Sequence, residues 1–190
     1  MLLKDQVALV TGGSRGIGRG IVLALAREGA KVTFVYHSNK DAATALEQEV
    51  AAAGGVAKGV QANVADLAAA DAVVGGVLAE HGRLDILVNN AGVIRDKLFL
   101  KMEADDWNTV INTNLNGVFA FCKAVAQQMA FKQRSGRIVN VSSIAGIAGS
   151  RYASFFCDGI EKTRMVVTSH ANGQRSSRSG RPRPTSGQTA

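Results

Sequence analysis

One pattern constrains this chain more than any other: short apolar runs alternate with helical spacing. The runs are QVALV (6–10), KVTFVY (31–36), VAKGVQ (56–61), LDILV (84–88) and RIVNVS (137–142). A strand with one wet face alternates polar and apolar residues, whereas these are apolar almost throughout and read as strands buried on both faces. Between them, IVLALAREG (21–29) repeats apolar residues three and four apart and stops at Gly29. DAATALEQEVAAAGG (41–55) is built of strong helix formers, and DLAAADAVVGGVLAEHG (66–82) opens on Asp66 as an N-cap and stops at Gly82. A longer helical stretch runs from about Ala104 through MAFKQ. Doubly buried strands separated by helices predict an α/β fold: a doubly wound parallel sheet of about five strands with right-handed crossovers. Such sheets bind ligands outside the carboxyl ends of their strands, so functional residues are expected just after positions 10, 36, 61, 88 and 142.

The remaining composition bounds what is attached to this sheet. The chain has 190 residues, 46% of them hydrophobic, enough for one domain with a sizeable core. No apolar run is long enough to span a bilayer and no secretory leader is read, so a cytoplasmic protein is the expectation. Cys122 and Cys157 make neither a disulfide framework nor a metal-ligand spacing, and no metal is expected. The net charge is +7, but Asn172 to Ala190 holds Arg175, Arg178, Arg181 and Arg183 and no acid. Of 22 basic residues, 18 then remain against 15 acidic ones, so the body is nearly balanced. With Pro182 and Pro184, no aromatic residue and no periodicity, residues 172–190 read as a disordered basic tail after a domain at 1–171. Nucleic acid is not an expected partner, since a basic arm that binds it usually offers stacking aromatics as well.

After the first strand comes TGGSRGIG, Thr11 to Gly18, and then a helix. Gly12 permits a sharp turn, Gly16 lets backbone approach a ligand, and Gly18 lets helix pack on sheet. The helix start offers N–H groups and a positive dipole end to a pyrophosphate. An acid closing the second strand would select a free ribose 2′-OH. Here that strand closes on Tyr36-His37-Ser38-Asn39-Lys40, with no carboxylate before Asp41. With Arg15 in the loop, the surroundings suit a 2′-phosphate, and NADP(H) is the expected cofactor.

TGGSRGIG, NNAG at 89–92, NTNLNGVF at 112–119 and RIVNVSSIAG at 137–146 together resemble the short-chain dehydrogenases/reductases, in order and spacing, over residues 1 to about 150. NNAGVIRDKLFLKMEADDW further resembles the 3-oxoacyl-(acyl-carrier-protein) reductases of that family, and acetoacetyl-CoA reductases look alike. The resemblance implies a Rossmann-like fold and NADPH-dependent reduction of a 3-oxoacyl thioester, carried by acyl-carrier protein or CoA, in fatty-acid synthesis. It implies that Gly12, Ser14, Arg15, Gly16, Ile17 and Gly18 hold the cofactor's phosphates, with His37 and Ser38 beside the adenosine ribose. Asn63 and Val64 match the pair that flanks the adenine, and Asn90, Ala91 and Gly92 the cofactor's ribose side. Asn114 matches the asparagine that helps hold a water in the proton relay; as a bare sequence feature it is a polar residue at a helix irregularity. Ser143 matches the serine that hydrogen-bonds the substrate carbonyl. Homo-oligomers through the long helices are also implied.

Beyond Ser143 the pattern breaks. The family's reaction needs a Tyr with a Lys four residues later, one helical turn apart, and no Tyr-x-x-x-Lys follows Ser143. Counting forward from Ser143, the family spacing lands on Phe156. Counting back from GIEK, Gly159 to Lys162, puts Lys at Cys157 and Tyr at Ala153. Tyr152 and Lys162 are ten residues apart, which on a helix is about 15 Å of rise and about 80° of rotation, too far to act as that pair. The sheet is expected to lack the family's last strands. Either an impaired reductase or a catalytically inactive NADP-binding fragment, from a truncated or frame-shifted reading frame, is the expectation.

Overall fold

The computed structural model describes residues 1–143. Its five strands are β1 (Val7–Thr11), β2 (Lys31–Tyr36), β3 (Val56–Gln61), β4 (Ile86–Asn89) and β5 (Arg137–Asn140), all parallel in the order β3-β2-β1-β4-β5. The chain winds outward from β1 in one direction and then, through β4, in the other. The strand order reverses between β1 and β4, and it is outside the carboxyl edge at such a switch that sheets of this kind bind ligands.

Strand alternation divides the core. Val7, Leu9, Val35 and Leu87 face one side, against Val73, Val74 and Val77 of α3 (Leu67–His81) and Phe121 and Val125 of α5 (Gly117–Gln127). Ala8, Val10, Val32, Phe34, Ile86 and Val88 face the other, against Val22 and Ala26 of α1 (Gly16–Arg27) and Leu46 and Val50 of α2 (Lys40–Ala52). Burying each of these large side chains stabilises the fold by about 1.5–3 kcal/mol, which is what fixes the register.

Three elements differ from the sequence reading. VAKGVQ, expected as a buried strand, is β3 at the sheet edge, and none of its residues is fully buried. The short apolar run could not tell an edge from a centre, although Lys58 in its middle suits a guarded edge. The first helix begins at Gly16 rather than near Ile21, so two of the three loop glycines lie in its opening turn. The long helical stretch is α4 (Ala104–Val110) and α5 with π-helical turns at Ile111–Asn116 and Gln128–Lys132. Other ends are as read: the Asp66 side chain accepts the Ala68 N–H at 2.9 Å, and Gly82 closes α3 at φ 71.

The amino edge of the sheet is tied by Asp85. Its buried carboxylate accepts the Val7 N–H at 2.9 Å, two Arg83 N–H groups at 2.8 and 2.7 Å, and the Gln133 amide at 2.8 Å. This side carries structure; the expected ligand residues lie at the opposite edge.

Candidate functional site

Gly12 leaves β1 at φ +66, and a Cβ there would lie 2.8 Å from Ala91 Cα. A Cβ on Gly18 would fall 2.1 Å from the Gly12 carbonyl oxygen and 2.5 Å from Asn90 Nδ2. No side chain fits at either position. Gly16 is different: space around it is open, and its φ of +53 is what requires glycine. Asn90 then fastens the loop from the β4 side. Its Nδ2 donates to the carbonyl oxygens of Thr11 and Gly12, each at 3.1 Å, while the Thr11 hydroxyl oxygen accepts the N–H groups of Asn90 and Ala91 at 3.0 and 3.1 Å. Sequence reasoning passed over Thr11 and also Gly13, whose Cβ would collide with Phe34 Cβ at 2.5 Å. Their signal was position, immediately after a buried strand, which the glycine pattern overshadowed.

The start of α1 is open to a ligand. Arg15 stands at its N-cap with extended backbone and no capping side-chain bond, and no acid lies in the first turn. By contrast Asn39 caps α2 and Asp66 caps α3. Uncapped N–H groups, the helix dipole and exposed Arg15 together favour an anion. Ser14 is half-buried beside them and Ile17 is 70% exposed. A pyrophosphate fits this arrangement, because the space around Gly16 at the helix start is open and the N–H groups there are uncapped.

Around the cradle stand the other expected residues. His37 and Ser38 follow β2 with exposed side chains, and the His37 carbonyl oxygen is held by Gln61 Nε2 at 3.0 Å. Asn63 turns its side-chain oxygen onto the Ala65 N–H at 3.1 Å, bracing the loop that carries Val64. Val64 packs on the core against the α5 side of the sheet. Gly92 approaches Asn114, where a Cβ would meet Oδ1 at an ordinary 3.5 Å.

Asn114 lies inside the π turn Ile111–Asn116. Its Oδ1 accepts the Val93 N–H at 2.8 Å and its Nδ2 donates to the Val93 carbonyl at 3.0 Å. Both ends of the side-chain amide therefore hold the loop after β4. Farther along that loop, Lys97 Nζ reaches buried Asp106 at 2.6 Å, and Asp106 also accepts the Glu103 N–H at 3.1 Å. The Lys97 ammonium, followed by the Glu103 N–H, holds the Asp106 carboxyl below its ordinary value, and Asp106 raises Lys97 in turn.

At the far strand, Asn89 Nδ2 donates to Asn140 Oδ1 at 2.9 Å and contacts Cys122 Sγ at 3.4 Å. Burial pushes the Cys122 thiol up, against the Asn89 contact that lowers it. The Val141 N–H continues the pairing onto the Asn89 carbonyl at 2.8 Å. Ser143 follows two residues later, exposed, at the same carboxyl edge. Tyr152, Ala153, Phe156, Cys157 and Lys162 lie outside the described residues. Among the described residues there is no cluster of His, Cys, Asp and Glu fit for a metal, and no helix is long and apolar enough to cross a membrane.

Comparison with known proteins gives this geometry its relatives. The chain is 50% identical over 148 residues to a 3-oxoacyl-(acyl-carrier-protein) reductase of Synechocystis sp., a match that covers 78% of this chain and 60% of the relative. It is 44% identical over 150 residues to the reductase FabG of Escherichia coli K12, covering 79% and 59%. The chain thus spans about three fifths of the length of the curated relatives it matches. Among solved structures, a metagenomic short-chain oxidoreductase in complex with NADP superposes with a TM-score of 0.76 at 35% identity, covering 83% of this chain and 71% of that one. A Serratia marcescens short-chain dehydrogenase/reductase mutant gives a TM-score of 0.77 at 34% identity, covering 85% and 65%. The family model for short chain dehydrogenase matches residues 6–157, which takes in the glycine cradle, the Asn90 and Asn114 ties and Ser143 alike. The chain belongs to the short-chain dehydrogenase family.

Proposed function

We propose that this chain holds the NADP(H)-binding half of a 3-oxoacyl thioester reductase and that its turnover is impaired. The observation that carries the first part is the uncapped start of α1, open around Gly16, in a loop that Gly12 and Gly18 let pack tightly on Asn90 and Ala91. Gly12, Ser14, Arg15, Gly16, Ile17 and Gly18 would hold the phosphates, and Asn63 and Val64 the adenine. Asn90, Ala91 and Gly92 would line the ribose side. With no carboxylate closing β2, Arg15, His37 and Ser38 leave room for a 2′-phosphate, which favours NADP(H) over NAD(H). When bound, NADPH supplies the hydride. Ser143 would donate a hydrogen bond to the substrate carbonyl oxygen, and Asn114 would keep the loop after β4 in place for the relay. The thioester reading, with acyl-carrier protein or CoA as carrier, is supported by likeness to reductases named for acyl-carrier-protein substrates.

The second reading is an NADP-binding chain without turnover, from a truncated or frame-shifted reading frame. It is favoured by the absence of a Tyr-x-x-x-Lys after Ser143, the pair that would donate the proton that balances hydride addition. Purified full-length chain, NADPH and an acetoacetyl thioester separate the two. We expect NADPH to bind and its absorbance to stay constant or fall slowly. Rapid oxidation would show that another group donates the proton.

A further inference from the structure

We propose that Gly117 is a positioning residue for the adenine side of the nucleotide site, an inference that rests on the nucleotide-binding reading above. Gly117 is buried and opens α5 where the π turn Ile111–Asn116 ends. A Cβ built on it would lie 3.0 Å from the Val64 carbonyl oxygen and 3.3 Å from Val64 Cγ2. By contrast Gly20, Gly75 and Gly76, also helical, have nothing within 4 Å and would accept alanine. Glycine weakens a helix, so its presence at a buried contact has another cause. That cause is the closeness of the Val64 loop.

The loop cannot yield freely. The Asn63 side-chain oxygen holds the Ala65 N–H, the Asn63 carbonyl holds the Asp66 N–H at 3.1 Å, and Asp66 is committed to capping α3. Val64 itself packs on the core cluster that contains Ala70 and Phe121. A methyl group at 117 must therefore move the Val64 turn as a unit by a few tenths of an ångström. The same stretch of helix holds Val93 through Asn114, so the π turn and the start of α5 set two loops: the one after β3 by close packing at Gly117 and the one after β4 by hydrogen bonds. The size of residue 117 thereby fixes where the Asn63–Val64 pair stands relative to the phosphate cradle.

Titration of adenosine 2′,5′-bisphosphate, which lacks the nicotinamide half, into the full chain tests this. We expect Gly117→Ala to weaken binding roughly three- to tenfold, as overpacking at a tight contact does, while Gly75→Ala leaves it unchanged. In a Val64→Ala background, which lacks Cγ2, the loss caused by Gly117→Ala is expected to shrink, which general destabilisation would not do. Equal affinity in wild type and Gly117→Ala, or a loss from Gly117→Ala as large in the Val64→Ala background as in wild type, overturns the proposal. If Gly117→Ala does not keep its fold, the double variant is read against Val64→Ala alone: near-equal affinities support the proposal, and a further loss beyond about threefold overturns it. A wild-type chain that fails to bind the bisphosphate overturns the nucleotide reading itself, and this inference with it.

Discussion

Gly18 shows how much one missing side chain decides. A Cβ there would meet both the Gly12 carbonyl and the Asn90 amide that organises the cradle. We predict that Gly18→Ala lowers NADPH affinity more than tenfold, read by nucleotide fluorescence, because relief of the contact moves backbone rather than a flexible side chain. Gly12, Gly16 and Gly18 were legible in the sequence because their spacing recurs wherever backbone meets phosphate. Thr11 was not, since a threonine ending a strand has many uses and only the fold shows its hydroxyl accepting from Asn90 and Ala91. The hydrogen bonds of Asn114 to Val93 were equally hidden, because the partner lies 21 residues away on another loop.

At the scale of elements, the loop after β4 is held by three ties in turn: Asn90 to the glycine cradle, Val93 to the π turn, and Lys97 to Asp106 at the start of α4. The last tie is ionic and carries a pH dependence. Asp106 is lowered and Lys97 raised, so the pair's contribution is complete above the ordinary aspartate value of about 3.9 and below the ordinary lysine value of about 10.4. It is lost as pH falls through the lowered Asp106 value, or rises through the raised Lys97 value. Asp106→Asn keeps an acceptor for the Glu103 N–H but loses the charge. Its urea midpoint is predicted to lie below wild type at neutral pH, with the gap closing below about pH 4. A gap independent of pH would refute the ionic account. Strand positions were readable from apolar runs, but β3 as an edge was signalled only by Lys58, within a run that otherwise reads as buried. The first π turn falls where Asn114 reads as a polar residue at a helix irregularity; the second was unreadable, because periodicity over 104–133 averages across one inserted residue.

At the scale of the whole molecule, the described residues form a sheet whose carboxyl edge carries the candidate nucleotide site, and they leave large apolar side chains exposed on the long helices. Phe131 on the second π turn is 77% exposed and Phe119 on α5 is 56% exposed. Assembly through the long helices predicts that Phe119→Glu with Phe131→Glu lowers the sedimentation coefficient to that of a monomer and leaves the melting temperature of the isolated chain little changed. Unaltered sedimentation would place any assembly elsewhere. The fold was legible in the alternation of runs, and the phosphate site in its glycines. The proton donor is where the family pattern ceases, because no Tyr with a Lys four residues on follows Ser143. The nucleotide half is thus the central claim, and NADPH titrated calorimetrically into the purified full chain tests it most directly. One saturable site per chain is predicted, tighter for NADPH than for NADH. Heats that never saturate, or equal affinity for the two nucleotides, would contradict it.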